Sequence, residues 1–319
     1  MKLLAKNCLF LWLFFLAANA SAQNQPLFEQ YLFHQLIINP AYAGSTAAVD
    51  ANLFYRQQWT SMQGAPESIS ATVSFNAVND KIGLGCKLLQ ETIGATNQLQ
   101  IGLQYAYRMH VSNTGVLAIG IDVSATNYHI QQQELTAFLA GDPAYVNQPE
   151  NTWSPNAGAG LWFNTKTFFA GISSPVIFED TISGVTDDKI SQLNIFEASR
   201  HYYVSTGILI GNPQAFAIKP SALAKYAPKA PEQIDASLSM IFKNTFWIGA
   251  TYRTNNSMSA MAQYFINKKN TLQQNSFSFG YAYNFRVDGL QNYFGPSHEV
   301  FLAYQFYKNQ TQFINPRFF

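Results

Sequence analysis

From Phe277 to Phe285 the chain reads FSFGYAYNF, with every odd position aromatic and every even one Ser, Gly, Ala or Asn. A two-residue repeat belongs to a β-strand, whose successive side chains point to opposite faces. The design recurs in Leu99 to Met109 (LQIGLQYAYRM), Ile69 to Asn76 (ISATVSFN) and Ile234 to Phe242 (IDASLSMIF). It recurs again in Leu117 to Ala125, Tyr202 to Ile210 and Phe246 to Arg253. In a soluble sandwich the apolar face would pack a core, and the other face would carry Lys, Glu and Arg. Here the second face is Gly, Ser, Ala, Thr, Gln and Asn. Charged residues make up 12% of the chain, roughly half of what a soluble domain carries, while aromatics reach 15%. The charges that do fall on the small, polar face include Arg56, Lys87, Arg108, Asp122, Lys219, Lys225, Asp235 and Arg253. A greasy wall opposite a polar one is the pattern of a transmembrane antiparallel β-barrel with a polar lumen. A soluble all-β protein is the competing reading, and the missing surface charge weighs against it.

The first residues agree with a route to such a membrane. Lys2 and Lys6 precede an apolar run from Cys8 to Ala18, followed by Ala20-Ser21-Ala22. That order of charge, grease and small residues reads as a secretory signal peptide over 1–22, cleaved before Gln23. The run is shorter than the roughly 20 residues of a spanning helix, and nothing later approaches about 18. With Cys8 gone, Cys86 is alone, so no disulfide framework is expected. A net charge of +1 offers no basic face for nucleic acid.

Counting alternating segments gives about fourteen strands across 48–309, preceded by an N-terminal segment (23–47) and followed by a tail (310–319). Connections after even-numbered strands are mostly tight, such as Asn79-Asp80, Thr165-Lys166 and Asn212-Pro213. Those after odd strands include the long ones, near 131–152, 174–198 and 286–296. Short turns on one side and long loops on the other is the bacterial outer-membrane arrangement, with both chain ends in the periplasm.

The chemistry of catalysis is not visible. His34, His110, His129, His201 and His298 show no metal-ligand spacing, and Ser297-His298 are strand neighbours that face opposite ways. No enzyme activity, cofactor or metal is expected. Fourteen strands could still leave an open lumen, so a pore or small-solute transporter is the alternative function.

The stretch before the first strand, PLFEQYLFHQLIINPAYAGS, carries the most specific signal. It resembles the start of the PorP/SprF family of type IX secretion membrane proteins of Bacteroidota, through Asn39-Pro40-Ala41-Tyr42-Ala43-Gly44. Further similar elements follow in family order: RQQWTSMQGAPES with Arg56, Trp59, Gly64, Ala65 and Pro66; KIGLGCKLLQETIG; IKPSALAKYAP with Lys219 and Pro220; FWIGATYR with Arg253; and GPSHEVFLAYQF with His298 and Glu299. The resemblance implies an outer-membrane barrel, exported by its signal peptide, that serves type IX secretion or gliding motility. It implies as partners outer-membrane lipid, a secreted cargo with a type B C-terminal domain, and periplasmic type IX components. Candidate cargo contacts are Phe138, Tyr145 and Trp153 in one long loop region and Ile177, Phe178, Ile182 and Ile190 in the next. The opening segment itself is expected to pack under or inside the barrel, since its aromatic and aliphatic residues need a dry partner. Docking to a periplasmic component is the second role open to it.

Overall fold

The computed structural model describes residues 31–46, 49–78, 80–131, 151–184, 193–228, 230–269 and 273–308. The expected signal peptide, Phe138, Tyr145, Ile190 and the expected tail lie outside these residues. Seventeen strands are formed among those described: β1 (Val49–Gln57), β2 (Glu67–Ala77), β3 (Ile82–Ile93), β4 (Thr96–His110), β5 (Val116–Ile130), β6 (Asn151–Asn164), β7 (Phe168–Val176), β8 (Asp180–Gly184), β9 (Leu193–Ala198), β10 (His201–Ile208), β11 (Ile210–Asn212), β12 (Phe216–Tyr226), β13 (Gln233–Phe242), β14 (Phe246–Arg253), β15 (Ser257–Lys269), β16 (Gln273–Arg286) and β17 (Ser297–Lys308).

Each strand pairs antiparallel with its neighbour, β1 pairs with β17, and the sheet closes. β10 and β11 form one staple of the wall, interrupted only at Leu209. Gly207 lies opposite Ser221 and Ile210 opposite Ile218, so the register runs on unbroken. The closed barrel therefore has 14 strands. β8 and β9 stand apart as a two-stranded hairpin within the 174–198 region, which the sequence reading treats as loop. At five and six residues these strands are too short to reveal a period.

Alternation in sequence becomes inside and outside in space. Along β13 the side chains are buried and exposed by turns, with Ser237 and Ser239 inward and Leu238 and Met240 outward. The outward set includes Leu103, Val123, Ile121 and Ile172, each more than half exposed. In water this would be an apolar surface far beyond the few hundred Å² a soluble monomer shows. Two belts of aromatics edge it: Tyr55, Tyr226 and Tyr252 toward the long loops, and Phe75, Phe216, Phe242 and Phe246 toward the tight turns. Tyr226 and Phe216 are the two ends of the 11-residue β12. At about 3.3 Å per residue and a tilt of about 40°, they stand roughly 25 Å apart along the barrel axis, the height of an outer-membrane apolar band. Among the described residues no helix is long and apolar enough to cross a membrane.

Candidate functional site

The lumen holds the Asn39–Gly44 stretch, together with Arg56, Lys219, Arg253 and Glu299. Residues 31–46 do not lie beneath the barrel; they run inside it, from mid-lumen, where Tyr31 bonds to Ser237, out to the turn end, where Gly44 meets β2 and β3. Three short helical turns, at Tyr31–Phe33, Gln35–Ile38 and Pro40–Tyr42, give the segment its shape. Asn39 caps the last of these. Its Oδ1 accepts the Ala41 N–H at 3.0 Å, while its Nδ2 donates to the Leu161 carbonyl of β6 at 3.0 Å. Pro40 follows at the first helical position, where its missing N–H costs nothing. Ala41 and Ala43 are wholly buried, and Tyr42 sets its ring edge-on to Trp162 with centroids 5.0 Å apart. Gly44 then turns the chain toward β1 with a φ of 69°, a conformation costly to residues with a β-carbon.

The wall is shaped to receive this backbone. A β-carbon on Gly83 would meet the Ala43 carbonyl oxygen at 1.9 Å, and one on Gly120 the Ala41 nitrogen at 2.2 Å. Gly160 leaves room in the same way for Asn39 Oδ1. Around these gaps, wall side chains satisfy the segment's polar backbone. Ser173 donates to the Ile38 carbonyl at 2.7 Å, Gln104 Nε2 to that of Leu36 at 3.3 Å, and Asn76 Nδ2 to that of Gly44 at 2.9 Å. The Gly44 N–H donates to Ser74 Oγ at 2.6 Å. Arg108 Nη1 donates to Ser45 Oγ at 2.7 Å, and Ser70 is hydrogen-bonded to His34 at 2.6 Å. The family motif is thus a plug, and small inward residues on β2 to β7 are its seat. Period-2 reasoning marks those positions as lumen without showing what fills it. Glycines at inward positions of β3, β5 and β6 are the signal that could have been read.

Beside the plug sits an aromatic cluster. Phe33 lies 5.1 Å from Trp247 and 5.6 Å from Phe301, and Phe301 stacks on Phe54 at 4.9 Å. Lys219, fully buried, holds its ammonium 5.5–5.7 Å from the rings of Phe33, Phe169 and Trp247. These ring faces stabilise a cation that has left water. Pro220, next along β12, faces outward. Between plug and wall a small cavity, lined in part by Asp50, Gln263, Phe265 and Gln305, has room for little more than one water-sized molecule.

Toward the loop end the lumen is filled by charge. Arg253 makes a two-pronged bond to Asp235, with both contacts at 2.9 Å, and Arg56 lies 3.8 Å from Glu299 on the adjoining strand. Glu91 of β3 and Lys225 of β12 are within electrostatic reach of each other across the lumen. All six side chains are buried, and their three positive and three negative charges balance. Midway, Lys87 pairs with Asp122 at 3.0 Å.

Over this cluster two loops pack on one another. Trp59 and Phe294 have ring centroids 5.3 Å apart, and the Thr60 and Ser61 N–H groups donate to the Pro296 and Phe294 carbonyls. Gly64 accepts from the Gly94 N–H, Ala65 is half-buried, and the Pro66 carbonyl accepts from Gln58. The Arg286 guanidinium donates to Asp288 and holds that carboxyl below the usual carboxylate range. His298 stands on the outer wall, hydrogen-bonded to the Tyr281 hydroxyl at 2.6 Å, while its neighbours Ser297 and Glu299 face inward. Of the candidate cargo contacts, Trp153 and Phe178 are more than half exposed and Ile177 is half-buried, its N–H bonded to the Ala157 carbonyl. Ile182 is placed only by its position in β8. No cluster of metal-ligating side chains occurs among the described residues.

A family model described as "Type IX secretion system membrane protein PorP/SprF" matches residues 20–304. Curated proteins yield no match. Among solved structures, a FadL homologue from Pseudomonas aeruginosa is 11% identical with a TM-score of 0.51, over 89% of this chain and 95% of that one. The monoaromatic hydrocarbon channel CymD is 11% identical with a TM-score of 0.49, over 90% and 94%. At such identity the likeness is one of fold alone.

Proposed function

Because the chain belongs to the PorP/SprF family of type IX secretion system membrane proteins, we propose that it works as a non-enzymatic docking barrel. It holds a secreted cargo, recognised through a type B C-terminal domain, at its loop end and meets periplasmic secretion components at its turn end. The observation that carries this reading is the filled lumen. A barrel whose interior is occupied by its own Tyr31–Thr46 segment and by a balanced charge cluster has no wide passage to offer a solute. Its working surfaces are then its two ends. At the loop end, Trp153 and Phe178 leave large apolar groups exposed, where a partner could cover them.

Affinity purification from native outer membranes tests the proposal. One large exported protein is expected to co-purify, and the pair Trp153→Ala and Phe178→Ala is expected to reduce its yield. A barrel recovered bare, with steady conductance in bilayers, would instead favour the pore.

A further inference from the structure

Among the described residues, the two ends of the barrel differ in the sign of their exposed charge. At the turn end, Lys81, Lys166 and Lys243 are all exposed. They occupy the turns β2–β3, β6–β7 and β13–β14, and β15 and β17 bring Lys269 and Lys308 to the same level by their strand positions. Asp80 is the carboxylate nearest this rim; it is partly buried, with Arg108 Nε donating to its carbonyl and the guanidinium close by. Among the described residues, no exposed carboxylate accompanies these lysines. At the loop end, Glu67, Glu179 and Glu232 are exposed instead.

The setting of the three lysines decides what they meet. Lys166 lies between Phe163 and Phe168, whose rings contact each other with centroids 6.3 Å apart on the outer wall. Lys243 lies between Phe242 and Phe246, a cross-strand pair. Lys81 precedes Ile82, which pairs with outward Tyr107. Each ammonium therefore sits just beyond the aromatic belt, at the depth where a lysine stem lies on apolar surface and its head reaches the interface. The turns are also spread around the circumference, with four strands from the first to the second and four from the second to the third. A protein partner would need these charges gathered on one side. An annulus of lipid needs them all round.

We propose that this rim binds the anionic phosphate headgroups of glycerophospholipids in the inner leaflet, and so fixes the barrel's depth and orientation. The inference does not depend on cargo docking. A lysine near an anionic surface is worth about a fivefold preference for the charged lipid.

The test uses the mature protein in phosphatidylcholine vesicles with spin-labelled phosphatidylglycerol or spin-labelled phosphatidylcholine as the probe. The expected result is several-fold stronger association of the phosphatidylglycerol label. That preference should fall toward unity in 1 M salt and in the triple variant Lys81→Gln, Lys166→Gln, Lys243→Gln, and persist with arginine at all three positions. Heat-modifiable gel mobility reports whether each variant is folded, and the salt titration of the unaltered protein needs no variant. Equal association of both labels with the unaltered protein would overturn the proposal, as would a preference that survives both salt and the glutamines. Loss of a periplasmic protein from the triple variant, without any lipid preference in the original, would assign the rim to an acidic protein instead.

Discussion

The Ala41 nitrogen lies 2.2 Å from where Gly120 would carry a β-carbon. Backbone meets backbone there, so neither side can swing away as a flexible side chain could. Gly120→Val should therefore force the plug off its seat. Overpacking typically costs 1–3 kcal/mol, and the upper part of that range (about 3 kcal/mol) is expected here. Limited proteolysis of the refolded barrel checks this, with cleavage near Ala41 in the variant and protection in the original.

Asn39 makes two bonds that no aliphatic residue can replace, one within its own turn and one to β6. Asn39→Ala should cost about 1–2 kcal/mol, the usual loss for a helix cap. The change should be local. Hydrogen exchange is expected to speed up at the Ala41 amide and its neighbours while the β12–β14 amides keep their rates.

Much of this architecture is legible in the sequence because a barrel wall repeats every two residues. Tyr281 and Ala282 announce an outside and an inside whatever the rest of the chain does, and the fourteen-strand count follows from such pairs. The two-sided wall also places Arg253 and Asp235 inside, since neither belongs in hydrocarbon. What cannot be read is which inward residues meet. Tyr31 bonds to Ser237 at 3.2 Å across 206 residues of sequence, and no periodicity links them. The plug's glycine seat is marked only by glycine at Gly83, Gly120 and Gly160, a signal that shows room in the lumen without showing that Asn39 to Ala43 occupy it. The β8–β9 hairpin escapes because its strands are too short to show alternation.

The Asp235–Arg253 pair should behave as a buried ion pair. Asp235→Asn leaves the guanidinium without its two-pronged partner, close to the positive Lys225. Removing one partner of a buried pair costs about 3–5 kcal/mol, because the remaining charge stays in place uncompensated. The temperature at which the folded band is lost on gels should fall clearly for this variant. The double change Asp235→Asn, Arg253→Met restores neutrality and should recover much of the loss, a non-additivity that a double-mutant cycle measures directly.

Two closures in series have a distinctive electrical consequence. The plug fills the turn end of the lumen, and the Arg56, Glu91, Lys225, Asp235, Arg253 and Glu299 cluster fills the loop end. Opening either one alone leaves the other to block ion flow, so no steady conductance in planar bilayers is expected from the unaltered protein. The charge-balanced pair of changes Glu91→Ala and Lys225→Ala should remain silent, since the plug stays seated. Deleting residues 31–43 should also give at most brief openings, because the charge cluster remains. Only the combination is expected to conduct steadily, and large steady channels from the unaltered barrel would contradict both closures at once.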